Sequence, residues 1–204
     1  HLFTAQAEVP LASPAGTEIF LGQAVAPGSF GWIIPIAGGR ARVGITARRP
    51  PLEPFRALCR LPAVAERLGE APERVKIGVI PLTTPARTVR GRILLVGQVA
   101  GQVKVTTGGG IYYALRCGDL AAEAVAEALG AAPARVADRL QRYEAAWRAA
   151  LRAEHAWGAR LRTILEGASD AWLDRAVSAA RGPLVRRLGE RYLHFDWHAP
   201  IIAR

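Results

Sequence analysis

Thr106, Thr107, Gly108, Gly109 and Gly110 stand together just ahead of a run with helical periodicity, and that grouping has chemical content. Three glycines leave no Cβ between the main chain and whatever approaches it, and the first amides of a helix have no acceptor within it. Such a start attracts phosphate, a carbonyl oxygen or a developing anion, and the threonine hydroxyls can cap the helix or touch a ligand. A glycine triplet can equally be a bare flexible turn. Two familiar phosphate sites are excluded by spacing: the glycines do not form G-x-G-x-x-G after a strand, and no Lys-Ser or Lys-Thr pair follows them. Other constellations carry less. Cys59 and Cys117 are far apart, and His194, Asp196 and His198 near the end define no coordination geometry, so no metal site is assigned. No Ser-His-Asp set, glutamate pair or H-E-x-x-H is present, and the catalytic residues stay unassigned.

The elements that must position this loop flank it. Ile93, Leu94, Leu95 and Val96 form an unbroken apolar run that suits a strand covered on both faces, as in a parallel sheet. Gly97 and Gly101 bracket a turn. From Gly110 onward Ile111, Ala114, Leu115, Ala122, Val125 and Leu129 recur at helical spacing, with Arg116, Asp119, Glu123 and Glu127 opposite.

Upstream the pattern is β. Residues 5–11 and 17–24 are two runs separated by Ser13-Pro14-Ala15-Gly16, a turn between antiparallel partners. Residues 33–37 and 40–46 flank Gly38-Gly39, a two-residue loop suited to a tight hairpin. Phe30 and Trp32, two apart, point to one side of a strand, where core or cross-strand packing is the plainer role. A helix with Phe55, Leu58, Leu61, Val64 and Leu68 on one face follows, broken or kinked at Pro62, and residues 74–82 return to an extended pattern. Downstream of Gly130 the chain is helical: Val136, Leu140, Tyr143, Trp147 and Leu151 share a face that runs on through Leu161, Ile164 and Leu165. Ser169 is an N-cap for a further helix that Gly182-Pro183 stops, and a last short helix carries Leu184, Val185 and Leu188.

The chain has 204 residues, half of them hydrophobic and 22% charged, which fits a folded globular protein. Its formal net charge of +10 comes almost wholly from arginine, with Lys76 and Lys104 the only lysines. No nucleic-acid-binding signature accompanies the charge, so no nucleic acid partner is assigned, and most arginines read as a solvated face beside acids. The chain holds no methionine and opens on His1, which reads as a portion of a longer protein. No stretch reaches the length of a membrane-spanning helix, and the compartment expected is cytoplasmic, with peripheral contact at an anionic membrane as a minor reading.

Gly97-Gln98-Val99-Ala100-Gly101, followed by Lys104-Val105-Thr106-Thr107-Gly108-Gly109-Gly110-Ile111-Tyr112-Tyr113-Ala114-Leu115, resembles the second flavin motif of the geranylgeranyl reductase family. That family has the p-hydroxybenzoate hydroxylase type of flavoprotein fold. Its motif reads GDAAG, a few residues, then P-x-x-G-x-G-I-x-x-A-L; here Gln98 replaces the Asp and Val105 the Pro. The resemblance implies FAD as cofactor, with Gly97, Gln98, Ala100 and Gly101 at the ribityl and pyrophosphate region and Gly108, Gly109, Gly110 and Ile111 against the pyrimidine edge of the flavin. Phe30-x-Trp32-x-x-Pro35 followed by Gly44-Ile45 is similar to the family's Y-x-W-x-F-P substrate motif, which implies that Phe30, Trp32 and Pro35 border an apolar isoprenoid-like substrate. The family's catalytic cysteine region is not matched.

The fold class implied is α+β to α/β. Residues 1–90 would form a substrate-binding antiparallel sheet with one helix, 91–130 the second half of a Rossmann-like FAD domain, and 131–204 a helical region. The activity implied is reduction of an isoprenoid alkene by hydride from reduced flavin, with the electron donor unassigned. Two alternatives stand beside it: a flavin monooxygenase or electron-transfer dehydrogenase of the same fold, and a flavin-free fragment that binds lipid or a partner protein.

Overall fold

The structure is a computed structural model that describes residues 1–12, 16–68, 72–183, 185 and 187. They fall into two compact units, one built on His1–Ile80 with Thr163–Arg186 and the other on Pro81–Arg162.

The first unit holds a five-stranded antiparallel sheet of β1 (Leu2–Pro10), β2 (Glu18–Phe20), β3 (Gly31–Ile36), β4 (Arg40–Ala47) and β5 (Lys76–Ile80), in the order β2-β3-β4-β1-β5. Alternation builds its core. Ala5, Ala7 and Val9 of β1, Ile33 of β3 and Ala41, Val43 and Ile45 of β4 are buried on one face against Phe55 and Leu58 of α1 (Leu52–Arg60) and Val64 and Leu68 of α2 (Pro62–Leu68). Pro62 acts as expected: α1 ends at Arg60, Leu61 turns extended at ψ 131°, and the proline opens α2. The β3–β4 hairpin also forms, with Ile36 facing Arg40 across Ala37, Gly38 and Gly39, so its loop has three residues rather than two. Gly38 and Gly39 sit at φ +78° and +64°, the left-handed region that glycine adopts without strain.

The pairing expected between residues 5–11 and 17–24 does not occur. β1 lies between β4 and β5, matched with β4 over eight residue pairs, while β2 pairs with β3 at the sheet edge. A buried eight-residue partner outweighs a three-residue strand whose central Ile19 is exposed, as is Leu21 just after it. Ser13, Pro14 and Ala15 lie outside the described residues.

In the second unit β6 (Val89–Arg90) and β7 (Ile93–Leu94) form a small antiparallel hairpin, followed by a 3-10 turn over Gly97–Ala100, α3 (Ile111–Leu129) and α4 (Val136–Gly167), of which Thr163 onward belongs to the first unit. Residues 93–96 are thus not a strand covered on both faces among the described residues: Ile93 is 66% exposed. α4 holds the hairpin. Trp147 Nε1 donates to Thr88 Oγ1 at 2.8 Å, and Glu144 accepts from the Thr88 and Val89 amides at 3.2 and 3.3 Å. Burial alone would raise the Glu144 pKa, but these donors with Arg148 hold it below the usual carboxylate range.

α3 begins where the periodicity places it but buries a different face. Tyr113, Cys117, Ala121, Ala124 and Ala128 pack with Leu140, Tyr143, Trp147 and Leu151 of α4, whereas Ile111, Leu115 and Leu129 are largely exposed. Apart from the charged stripe of Arg116, Asp119, Glu123 and Glu127 the helix is apolar, and its row of small residues lets the bulky rings of α4 approach closely. The α4 face is as expected through Leu151, then turns polar: Glu154 and Arg162 are buried, Leu161 and Ile164 exposed. Ser169 caps α5 (Asp170–Ala180), accepting from the Trp172 amide at 3.3 Å, and α5 ends ahead of Gly182. Within the first unit Asp170 Oδ1 accepts from the Gln23 amide at 2.7 Å. Leu184, Leu188, His194, Asp196 and His198 lie outside the described residues. No helix among the described residues is long and apolar enough to cross a membrane.

Candidate functional site

The glycine-rich segment is a compact double turn leading into α3. Gly97 at φ +80°, Gly101 at φ +69° and Gly108 at φ +76° take backbone conformations that other residues resist. A Cβ on Gly101 would also stand 2.5 Å from the Thr83 carbonyl oxygen, and one on Gly110 3.0 Å from Val103 Cγ1. These glycines are required by the fold. Gly109 differs: it is exposed, lies outside the positive-φ region, and a Cβ there would meet nothing closer than Thr107 Oγ1 at 3.4 Å. The loop closes on itself through the Lys104 amide donating to the Gly109 carbonyl and the Gly108 amide donating to the Lys104 carbonyl, both at 2.8 Å. Gly110 caps α3 without a side-chain hydrogen bond, Ile111 is 83% exposed, and Gln98 is exposed on the 3-10 turn beside buried Gly97 and Ala100.

Sequence reasoning missed what holds the loop. Four groups on α4 reach it. Tyr143 bonds to Gln102, Glu154 accepts from the Tyr113 hydroxyl at 3.0 Å, His155 is bonded to the Val103 backbone, and Arg162 donates to the carbonyls of Val105 and Thr106 at 3.3 and 3.0 Å. Gly158 lets the helix backbone close on Val105, since a Cβ there would stand 3.2 Å from Val105 Cβ. Burial, more than the Val103 bond or the Glu154 charge, sets the balance at His155 and holds its pKa below the usual 6.5. The signal available in the sequence was the polar interruption of the apolar α4 face at Glu154, His155 and Arg162.

In the first unit Trp32 and Phe30 come together, their ring centroids 5.8 Å apart and tilted by 48°. Trp32 lies on the face of β3 opposite Ile33, and its Nε1 donates to Gln6 Oε1 at 3.3 Å. Trp32, Gly44 and Gln6 are consecutive partners across β3, β4 and β1, and the indole rests on Gly44. Pro35 is separated from them: it shares the pleat of Ile33, on the helix-covered face.

No protein-family model matches the chain. Over 171 residues it is 34% identical to digeranylgeranylglycerophospholipid reductase 2 of Methanothermobacter thermautotrophicus, covering 83% of this chain and 44% of that protein. A geranylgeranyl bacteriochlorophyll reductase-like protein of Thermoplasma acidophilum superposes with a TM-score of 0.73 at 22% identity, over 87% of this chain and 46% of that one. A probable FAD-dependent monooxygenase of Pseudomonas aeruginosa superposes with a TM-score of 0.58 at 22% identity, over 81% and 49% of the two chains. The chain shares its fold with corresponding parts of these two proteins. The chain is similar in sequence to digeranylgeranylglycerophospholipid reductases, and it spans less than half the length of the curated relatives it matches.

Proposed function

We propose that this chain is part of an FAD-dependent reductase that hydrogenates a carbon–carbon double bond of an isoprenoid or similar apolar substrate. The observation that supports the cofactor half of this reading is Gly109, an exposed glycine that the fold does not require, at the start of a 19-residue helix with no side-chain cap. A residue without Cβ there leaves room for a ring or phosphate to approach the main chain. FAD held by these residues would supply two-electron redox chemistry, the source of the hydride that reduction of an alkene requires.

The residues of this chain bind and orient. Gly97, Gln98, Ala100 and Gly101 hold the ribityl and pyrophosphate region, with the Gln98 amide able both to donate and to accept. Gln98 is neutral where the family carries Asp, so it adds no second negative charge beside pyrophosphate. Gly108, Gly109, Gly110 and Ile111 present the positive end of α3, which favours negative charge at the pyrimidine edge of a flavin. Phe30 and Trp32 offer two apolar ring faces to a hydrocarbon chain, and Phe30 lacks the hydroxyl that could donate a proton. Pro35, on the opposite pleat, is left out of the substrate surface. Exposed arginines such as Arg142, Arg152 and Arg160 suit peripheral contact with an anionic membrane, where such a substrate resides.

The test is the visible absorption spectrum of the native-length protein with and without added FAD. A bound-flavin spectrum that bleaches with reductant and recovers on adding a polyprenyl alkene supports the reductase. A protein that stays colourless at high FAD overturns it.

A further inference from the structure

The turn that carries Gly97 is tied into a closed ring of hydrogen bonds by two side chains that reach it from outside the motif. Gln102 is fully buried. Its Oε1 accepts the Gly97 amide at 2.6 Å, and its Nε2 donates to the Tyr143 hydroxyl at 2.8 Å. That hydroxyl in turn donates to the Leu95 carbonyl at 2.8 Å. Chain atoms from Leu95 to Gly97 complete the ring, so every polar atom in it has a directed partner and the amide of Gln102 has only one orientation that serves both ends. Gln102 also shares a backbone bond with the same turn, its own amide donating to the Gly97 carbonyl at 3.2 Å. Gly97 stands at φ +80°, a conformation the ring holds against the many others open to glycine.

We propose that Gln102 and Tyr143 are positioning residues for the cofactor, locking the Gly97–Gly101 turn in the shape FAD requires without touching FAD themselves. The inference rests on the flavin reading above. Neither side chain has surface to offer a ligand, Tyr143 being 1% and Gln102 0% exposed, and the hydrogen bonds described engage both polar ends of Gln102. Burial pushes the Tyr143 phenol up to about 12, so it stays protonated and keeps its donor role toward Leu95 across the working pH range. Preorganisation of this kind appears as affinity, because a turn already in its bound shape loses less freedom on binding.

The experiment uses the native-length protein and three variants: Tyr143→Phe, which keeps the ring and removes the hydroxyl, Gln102→Leu, which removes both bonds, and Gln102→Glu. The protonated carboxyl of the last keeps an acceptor for Gly97 and a donor for Tyr143. FAD affinity is read by fluorescence quenching, the melting temperature of the FAD-free protein by circular dichroism, and the flavin midpoint potential at saturating FAD. The result expected is FAD affinity weakened about tenfold or more in Tyr143→Phe and Gln102→Leu under conditions where both are fully folded, in line with loss of a group that orients ligand-binding residues. Gln102→Glu regains affinity as pH falls and its carboxyl protonates. A lower melting temperature with unchanged FAD affinity and potential would assign the pair a structural role only and overturn the inference. A wild-type protein that binds no FAD would overturn the flavin reading and this inference together, whereas a wild type that binds FAD beside variants that bind equally well sinks this inference alone.

Discussion

The indole of Trp32 occupies the space where a side chain at Gly44 would begin: a Cβ there would overlap Trp32 Cζ2 and lie 2.5 Å from Cε2. The two residues are direct partners across β3 and β4, so the glycine is what allows the ring to lie flat on the sheet. Gly44→Ala forces the indole off the strand. The expected cost is about 1–3 kcal/mol, as for overpacking elsewhere. It is read by urea denaturation, with a red-shifted tryptophan emission reporting the displaced ring.

Gly109→Ala tests the opposite kind of glycine. The fold has room for a methyl group here at ordinary contact distance, so stability should hold or rise by about 0.4–1 kcal/mol through the less flexible unfolded chain. FAD affinity in the native-length protein should fall about tenfold or more, equivalent to about 1.4 kcal/mol. Unchanged affinity with unchanged stability would remove Gly109 from the cofactor surface.

Tyr113 ties the first turn of α3 to Glu154 inside the core. Tyr113→Phe removes the hydroxyl that donates to a buried carboxylate, and the expected loss of stability is about 1–3 kcal/mol. Thermal denaturation checks it. A loss under half a kilocalorie would mean that other partners satisfy the carboxylate without the tyrosine.

His155 makes stability depend on pH. Its folded-state pKa lies below the unfolded value near 6.5, chiefly through burial, with Glu154 and the Val103 backbone bond opposing the shift. The unfolded chain therefore binds the proton more readily, and the stability contributed above pH 6.5 is lost as pH falls through 6.5 toward the folded value. His155→Gln should flatten the melting temperature in that window. Equal slopes for wild type and variant would show that other groups carry the acid response.

Much of the architecture is local chemistry and was readable as such. Pro62 stops α1 because proline forces its predecessor out of the helix, Ser169 caps α5, and Gly38-Gly39 turn the β3–β4 hairpin; each acts on residues a few positions away. The same holds for the loop, where the helix start after Gly110 follows from the glycines and the periodicity beyond them. Long-range choices were not readable in this way. β1 could pair with several extended runs, and the depth of burial available in β4 decided the matter.

What the sequence by itself determined is where helices and turns begin, and that a glycine-rich loop opens α3, because backbone preferences depend on residue type and neighbour. Only the tertiary structure decided which face of α3 is buried, since a helix apolar on most sides satisfies periodicity in several orientations and the rings of α4 choose among them. Tertiary structure likewise recruited Tyr143, Glu154, His155 and Arg162 to hold the loop. Residues some 40 to 60 positions apart meet only when packing brings their helices together, and a polar group is an anchor only once burial removes the water that would otherwise serve it.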